Sequence, residues 1–335
     1  MFKENDIRPL DLQAAQKQSM QKDIDFLVSQ KADFEQVNCP ACGAVNEETL
    51  FSKNGFEYIQ CANCTMLYTN PRPSAALLKQ FYANSQNHKF FNTYIYPASK
   101  EVRREKIFLP RVESIVRVCT EYGVERDNIL EIGPGYGLFL EEMVKKNFFK
   151  EVVGIEASDT LYETAKKKGF SVYNGTFEEM EIDELFDVIV SFEVIEHIFD
   201  PGEFLKKCYK NLKENGVLIM TFPNYNGFDI STLREVSDSI SHTHLNYFNE
   251  KSISLLLEAA GYTDIGITTP GVMDVDLVRN KILKGLFAPN PFIRDLCIDK
   301  PDEVRERFQQ FLIEQKMSSN MMVIARKNPI SGVER

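Results

Sequence analysis

No apolar run in this chain reaches the ~18 residues that a membrane-crossing helix needs. Nor is there an excess of positive charge: 39 Lys and Arg stand against 49 Asp and Glu, a formal net charge of −10. A general nucleic-acid binder shows a basic balance or a basic stripe. The one basic stretch here, KEVRREKIFLPR from Lys100 to Arg111, reads as the solvated face of a helix. No internal repeat or low-complexity tract stands out. The opening MFKENDIRPLDLQAAQKQS is polar and charged, unlike a secretory signal, so a cytoplasmic protein is expected. Histidine is scarce, with four in 335 residues, which shortens the search for a general base.

Cysteine, by contrast, is concentrated. Cys39–Cys42 and Cys61–Cys64 form two C-x-x-C pairs, CPAC and CANC. Two such pairs at this distance supply four thiolates for a tetrahedral zinc site. Gly43 suits the tight turn of the first knuckle. Four sulfurs leave no open coordination position, so the ion is expected to be structural, folding a segment too short to hold a core alone. A redox pair would stand alone beside a thioredoxin-like βαβ unit, and none is present. Cys119, Cys208 and Cys297 are isolated and read as small buried apolar residues.

The chain divides accordingly. Residues 1–36 read as a polar helical lead and 37–70 as the zinc-binding module. NPRPS, Asn70 to Ser74, then breaks regular structure. Residues 71–110 read as a linker with helices, the first capped by Ser74; another helix is expected from about Ser99 to Tyr122. From Asp127 the texture becomes strand–helix alternation: NILEIG, EVVGIE, FSVYNG, LFDVIVSFE, VLIMTFP, DIGITT and NMMVIARK are strands. PGEFLKKCYKNLKENG reads as a helix with Pro201 near its start and Gly216 as its stop. Residues 271–316 form a long helical insertion before the last strand. Such alternation implies an α/β fold, a parallel-dominated, doubly wound sheet with helices on both faces, and ligands sit at the carboxyl ends of its strands.

EIGPGYG, Glu131 to Gly137, follows the first of these strands and opens a helix. Gly133 and Gly135 let the backbone turn sharply and let a ligand approach. A dinucleotide fingerprint needs G-x-G-x-x-G; here Leu138 holds the last position and the third glycine comes early, at Gly137. Glu131 beside the loop is foreign to a pyrophosphate site and suits a ligand bearing an amino group. Glu156, ending the second strand, is placed to accept hydrogen bonds from ribose hydroxyls.

On LEIGPGYG, GIEAS, FDVIVSFEVIEHIFDP and GVLIMTFPN the sequence resembles the class I S-adenosylmethionine-dependent methyltransferases, over roughly residues 105–330. The resemblance implies a Rossmann-like seven-stranded sheet with a reversed last hairpin, residues 111–335 forming the methyltransferase domain. It implies S-adenosyl-L-methionine as cofactor, with Glu131, Gly133, Gly135 and Gly137 around its methionine part and Glu156 on the ribose. Thr176 and Phe177 would lie near the adenine, and Phe192 and Glu193 on the sulfonium side. A noncatalytic nucleoside-binding member of the fold is an alternative.

Methyl transfer to a hydroxyl calls for a base. His197 follows Glu193 by four residues, sharing a helix face with it, and borders the active site in the resembled family. His242 and His244, in SHTHLNYF, point the same way if that loop is extended; His244 is favoured as base or substrate ligand. A metal on this pair would lack an assigned third ligand. His88 reads as solvent-facing. Aromatic clusters such as the phenylalanines and tyrosines of HKFFNTYIYP, His88 to Pro97, are core more often than ligand walls. SFEVIEH lacks the D/N-P-P-Y pattern of base N-methylation, and with the acidic charge this argues against a nucleic-acid acceptor. EVIEH resembles small-molecule methyltransferases, and a four-cysteine module ahead of the domain resembles sugar C-methyltransferases. The expected partner is therefore a small-molecule acceptor, a nucleotide sugar or a glycan-linked metabolite, methylated on oxygen or carbon. The alternative is an RNA or protein methyltransferase using the zinc module for recognition.

Overall fold

The computed structural model describes residues 2–328. The alternation after Asp127 forms one seven-stranded sheet: β1 Asn128–Ile132, β2 Glu151–Glu156, β3 Ser171–Asn174, β4 Phe186–Phe192, β5 Leu212–Pro223, β6 Thr263–Thr268 and β7 Asn320–Arg326. Their spatial order is β6-β7-β5-β4-β1-β2-β3. β7 runs antiparallel to β5 and β6, while the pairs among β1 to β5 are parallel. β1 and β4 are buried along their whole length, as parallel strands covered on both faces are. Leu130, Ile132 and Ile189 pack with Phe204 and Leu205 on one face; Ile129, Val188 and Val190 pack with Val112, Ile115, Phe139 and Met143 on the other. Each such side chain contributes ~1.5–3 kcal/mol by leaving water. The order reverses between β1 and β4, and a crevice opens at their carboxyl ends.

The helix starting at Pro201 stops at Asn211, not at Gly216. Leu212 already pairs with Phe186 in the sheet and is fully buried. The Asn211 amide holds the turn, donating to the carbonyls of Ile182 at 3.0 Å and Glu184 at 3.3 Å. The insertion between β6 and β7 carries helices Asp274–Leu283, Pro291–Arg294 and Asp302–Glu314. No helix among the described residues is long and apolar enough to cross a membrane.

The helix expected from Ser99 begins earlier. Residues 86–121 are helical throughout, with wider π turns at Phe91–Ile95 and Arg104–Phe108. Pro97 and Pro110 follow these turns. Proline lacks an N–H and crowds the carbonyl four residues back; a one-residue-wider turn just before it relieves the clash without ending the helix.

The N-terminal module is not a separate body. Strands Thr49–Lys53, Phe56–Gln60 and Leu67–Thr69 form an antiparallel sheet whose fourth strand, Asn246–Tyr247, comes from beyond β5. Arg72, completely buried, stitches the junction by donating to the carbonyls of Thr69, Leu245 and Phe199 and to Asn246 Oδ1.

Candidate active site

Beyond β1 the chain folds back sharply, with Gly133, Gly135 and Gly137 at φ 73°, 56° and 76°. A Cβ on Gly133 would lie 2.8 Å from Val194 Cγ2, so both its conformation and its space require glycine. Glu156 holds the loop in place: one carboxylate oxygen accepts from the Gly135 N–H at 2.9 Å, the other from the Ser158 N–H at 2.8 Å. The loop rims a cleft of about 1420 Å³ lined by Glu131, Gly133, Gly135, Glu156, Thr176, Phe177, Phe192 and Glu193. Gly137 does not line it. Gly137 turns the chain into the helix Leu138–Lys146 and faces the Phe170 ring.

Two buried polar atoms in this wall have no hydrogen-bond partner, Glu131 Oε2 and Thr176 Oγ1. Burial pushes the Glu131 carboxyl up to about 8, against the pull of the Arg111 charge. Glu193 is fixed, at φ 57°: its Oε1 accepts from the Thr221 hydroxyl at 2.8 Å, Asn320 Nδ2 at 3.0 Å and Arg111 Nη2 at 3.1 Å. The Arg111 guanidinium also lies 4.7 Å from the Phe192 ring centroid.

His197 lines the cleft and His244 stands behind it, the ring centroids 4.8 Å apart. His197 Nδ1 donates to the Thr243 carbonyl at 2.8 Å, and His244 Nδ1 to the Ser239 carbonyl at 2.9 Å. Burial lowers the His197 imidazole to about 4 and that of His244 well below its ordinary range. Both rings are therefore neutral near pH 7, with the lone pair on Nε2. His242 points elsewhere, edge-on to Phe81. The segment is a turn, closed by the His244 N–H donating to Ser241 O at 3.1 Å, and the same-direction rule of extended chain does not apply. His88 is no solvent-facing residue: it lines the cleft and stacks on Tyr82 at 5.6 Å.

Sequence reasoning missed the opposite wall. Tyr96, Arg103, Ile107, Arg111 and Ser114 all line the cleft. They recur at helical spacing along residues 86–121, and that spacing was the available signal. Arg103 is buried, donates to the Ile7 carbonyl at 3.0 Å and lies 4.9 Å from the Tyr96 ring centroid. Half of the basic stretch thus faces inward. Phe91, Asn92 and Tyr96 from the aromatic run also reach the cleft.

The four cysteines converge. Cys39 and Cys64 sulfurs are 3.5 Å apart, as are those of Cys42 and Cys61, and all four lie within 4.8 Å of one another. Zinc–sulfur bonds of ~2.3 Å in a tetrahedron put sulfurs about 3.8 Å apart, so the donor set fits zinc. The two knuckles repeat one backbone pattern. Gly43 N–H donates to Cys39 O at 2.8 Å and Thr65 N–H to Cys61 O at 2.9 Å, with Gly43 at φ 71° and Thr65 at φ 60°.

Residues 103–266 match a family model described as a methyltransferase domain. The ubiquinone biosynthesis O-methyltransferase of Caulobacter vibrioides is 38% identical over 104 residues, 29% of this chain and 40% of that protein. Its counterpart in Bradyrhizobium diazoefficiens is 33% identical over 104 residues, with the same 29% and 40% shares. The chain thus spans about 40% of the length of these two curated relatives. Among solved structures, the plantazolicin methyltransferase BpumL in complex with SAH has a TM-score of 0.50 at 16% identity, covering 75% of this chain and 94% of that one.

Proposed function

We propose that this chain, whose residues 103–266 match a methyltransferase-domain family, is a class I S-adenosylmethionine-dependent methyltransferase that moves a methyl group from that cofactor to a small-molecule acceptor, a sugar or glycan-linked metabolite. Glu131 is the observation that carries the reading. A buried carboxylate with a free oxygen, directly below a glycine loop, suits a ligand with a cationic amino group and repels a pyrophosphate. Gly133 and Gly135 leave room beside it; Gly137 shapes the loop from behind. Glu156 keeps lone pairs for two ribose hydroxyls even while holding the loop. Thr176 Oγ1 and the Phe177 ring suit the adenine. The Phe192 ring and the Glu193 carboxylate suit the sulfonium side.

When bound, the cofactor supplies an activated methyl carbon; the chain aligns the acceptor and excludes water. Nε2 of His197, neutral and at the cleft surface, is the atom that takes up an acceptor hydroxyl proton. His244, behind, positions that ring. Oxygen as nucleophile agrees with what the relatives are called. The rings of Tyr82, Phe91 and Tyr96 give the apolar wall on which a sugar face stacks. Lys79, Lys206 and Arg111 in the cleft are each paired, with Glu179, Glu203 and Glu193.

The test is calorimetry with S-adenosylmethionine and S-adenosylhomocysteine, followed by an acceptor panel scored by release of the latter. Binding of both and turnover with a nucleotide sugar is the expected result. A chain that binds neither nucleoside has another function.

A further inference from the structure

We propose that Glu196, His197 and His244 form a binding site for one divalent transition-metal ion in the cleft wall, separate from the four-cysteine site. One ligand atom from each of the three lies within 4.8 Å of the others. Both imidazoles have Nδ1 occupied by a backbone carbonyl, Thr243 O and Ser239 O. That arrangement fixes the tautomer and leaves Nε2 as a lone-pair donor, the way ligating histidines are oriented. Glu196 is 1% exposed, and neither of its carboxylate oxygens has a hydrogen-bond partner. Its neighbour His197 Nε2, 4.0 Å from Oε1, offers a lone pair and not a proton. A buried carboxylate without a hydrogen-bond partner is costly; a cation among the three groups removes the cost.

Two imidazole nitrogens and one carboxylate oxygen are the donor set of open-sided sites for iron, manganese, cobalt or zinc, in contrast to the thiolates of the other cluster. Three protein ligands leave positions open, and His197 borders the cleft. The class of ligand is therefore a molecule with a coordinating oxygen. On the methyl-transfer reading, on which this clause alone rests, that oxygen is the acceptor hydroxyl: the ion lowers its pKa, its proton leaves to solvent, and His197 acts as ligand in place of acting as base. The sequence left a metal on the histidines without a third ligand; Glu196 supplies it from the segment after β4.

Mn2+ titration of the full chain tests this, with free ion read by electron paramagnetic resonance and zinc retained in the cysteine site. One Mn2+ per chain is expected, with at least ten-fold weaker uptake in Glu196→Gln and His244→Ala and zinc content unchanged. In the unaltered chain, Co2+ should give visible d–d bands without a thiolate charge-transfer band, a readout that does not depend on either variant folding. No Mn2+ uptake, uptake indifferent to both substitutions, or cobalt signals from thiolates alone would overturn the proposal. Calorimetry with S-adenosylhomocysteine on the same samples separates the two readings. Metal binding without nucleoside binding sinks methyl transfer alone, and nucleoside binding without metal sinks the site alone.

Discussion

The side-chain amide of Asn249 donates to the carbonyl of Cys64 at 3.2 Å and to the Thr65 hydroxyl at 3.0 Å. The same residue caps the helix Glu250–Ala259, its Oδ1 accepting from the Ser252 N–H at 2.9 Å. One side chain thus ties the second cysteine knuckle to the element that follows His244, and Thr69 reinforces the tie, its hydroxyl donating to the His244 carbonyl at 3.2 Å.

With zinc in the cysteine cluster, as its donor set fits, loss of the ion should be felt at the histidines. Structural zinc contributes on the order of 10 kcal/mol to such modules. Cys61→Ser is expected to cut bound zinc below half an ion per chain and to remove hydrogen-exchange protection from residues 242–249. Asn249→Ala, with zinc retained, should cost about 1 kcal/mol of stability from the lost cap. Unchanged exchange in the zinc-depleted chain would show that the two parts are independent.

Cofactor affinity should depend on Glu131 protonation. Burial raises this carboxyl to about 8 in the open cleft, so near pH 7 it is mostly protonated. An ammonium group needs the carboxylate, and binding must then release a proton. Affinity is expected to rise about ten-fold per pH unit up to roughly pH 8 and then level. Glu131→Gln should weaken binding and abolish the slope. Calorimetry in buffers of different ionisation enthalpy measures the released proton directly.

Turnover at saturating cofactor should show no limb near the usual histidine range. His197 is lowered to about 4 by burial and is neutral at all pH values well above that. His197→Ala is expected to reduce kcat by about 10²–10⁴-fold with the dissociation constant for S-adenosylhomocysteine unchanged. A limb in kcat between pH 6 and 7 in the unaltered chain would assign the proton transfer elsewhere.

Gly133→Ala should damage the cleft from its floor. The left-handed conformation costs a non-glycine residue about 1–2 kcal/mol, and the added methyl meets Val194 at 2.8 Å. Lower thermal stability together with weakened nucleoside binding is the expected pair of effects. Gly135→Ala, where a Cβ meets no protein atom within 4 Å, should cost less stability while still weakening nucleoside binding, because Gly135 lines the cleft.

Local chemistry made much of this legible. The strands announced themselves because a parallel sheet needs unbroken apolar runs, and β1 and β4 are buried end to end. The cysteine pairs and the Glu131–Gly137 loop carry their spacing within a few residues. What stayed hidden was assembled over distance. Glu196 reads as one more acid beside a histidine until the chain returns with His244. Arg103 and Arg111 read as solvent-facing because nothing local reveals that Ile7 and Glu193 await them. The helix expected from about Ser99 starts earlier, because the wider turn before Pro97 lets it continue through that proline.

The cavity is written in two places in the gene. Glu131, Glu156 and Phe192 come from the region matched by the domain family, whereas Tyr82, His88, Phe91 and Tyr96 precede residues 103–266 and Val272 and Met273 follow them. On the methyl-transfer reading, drift in those flanks would change what is accepted without disturbing how the donor is gripped. Proteins of this build should therefore diversify their chemistry by exchanging the flanks around a constant centre, and chimeras joined near residue 103 are the natural way to retarget them.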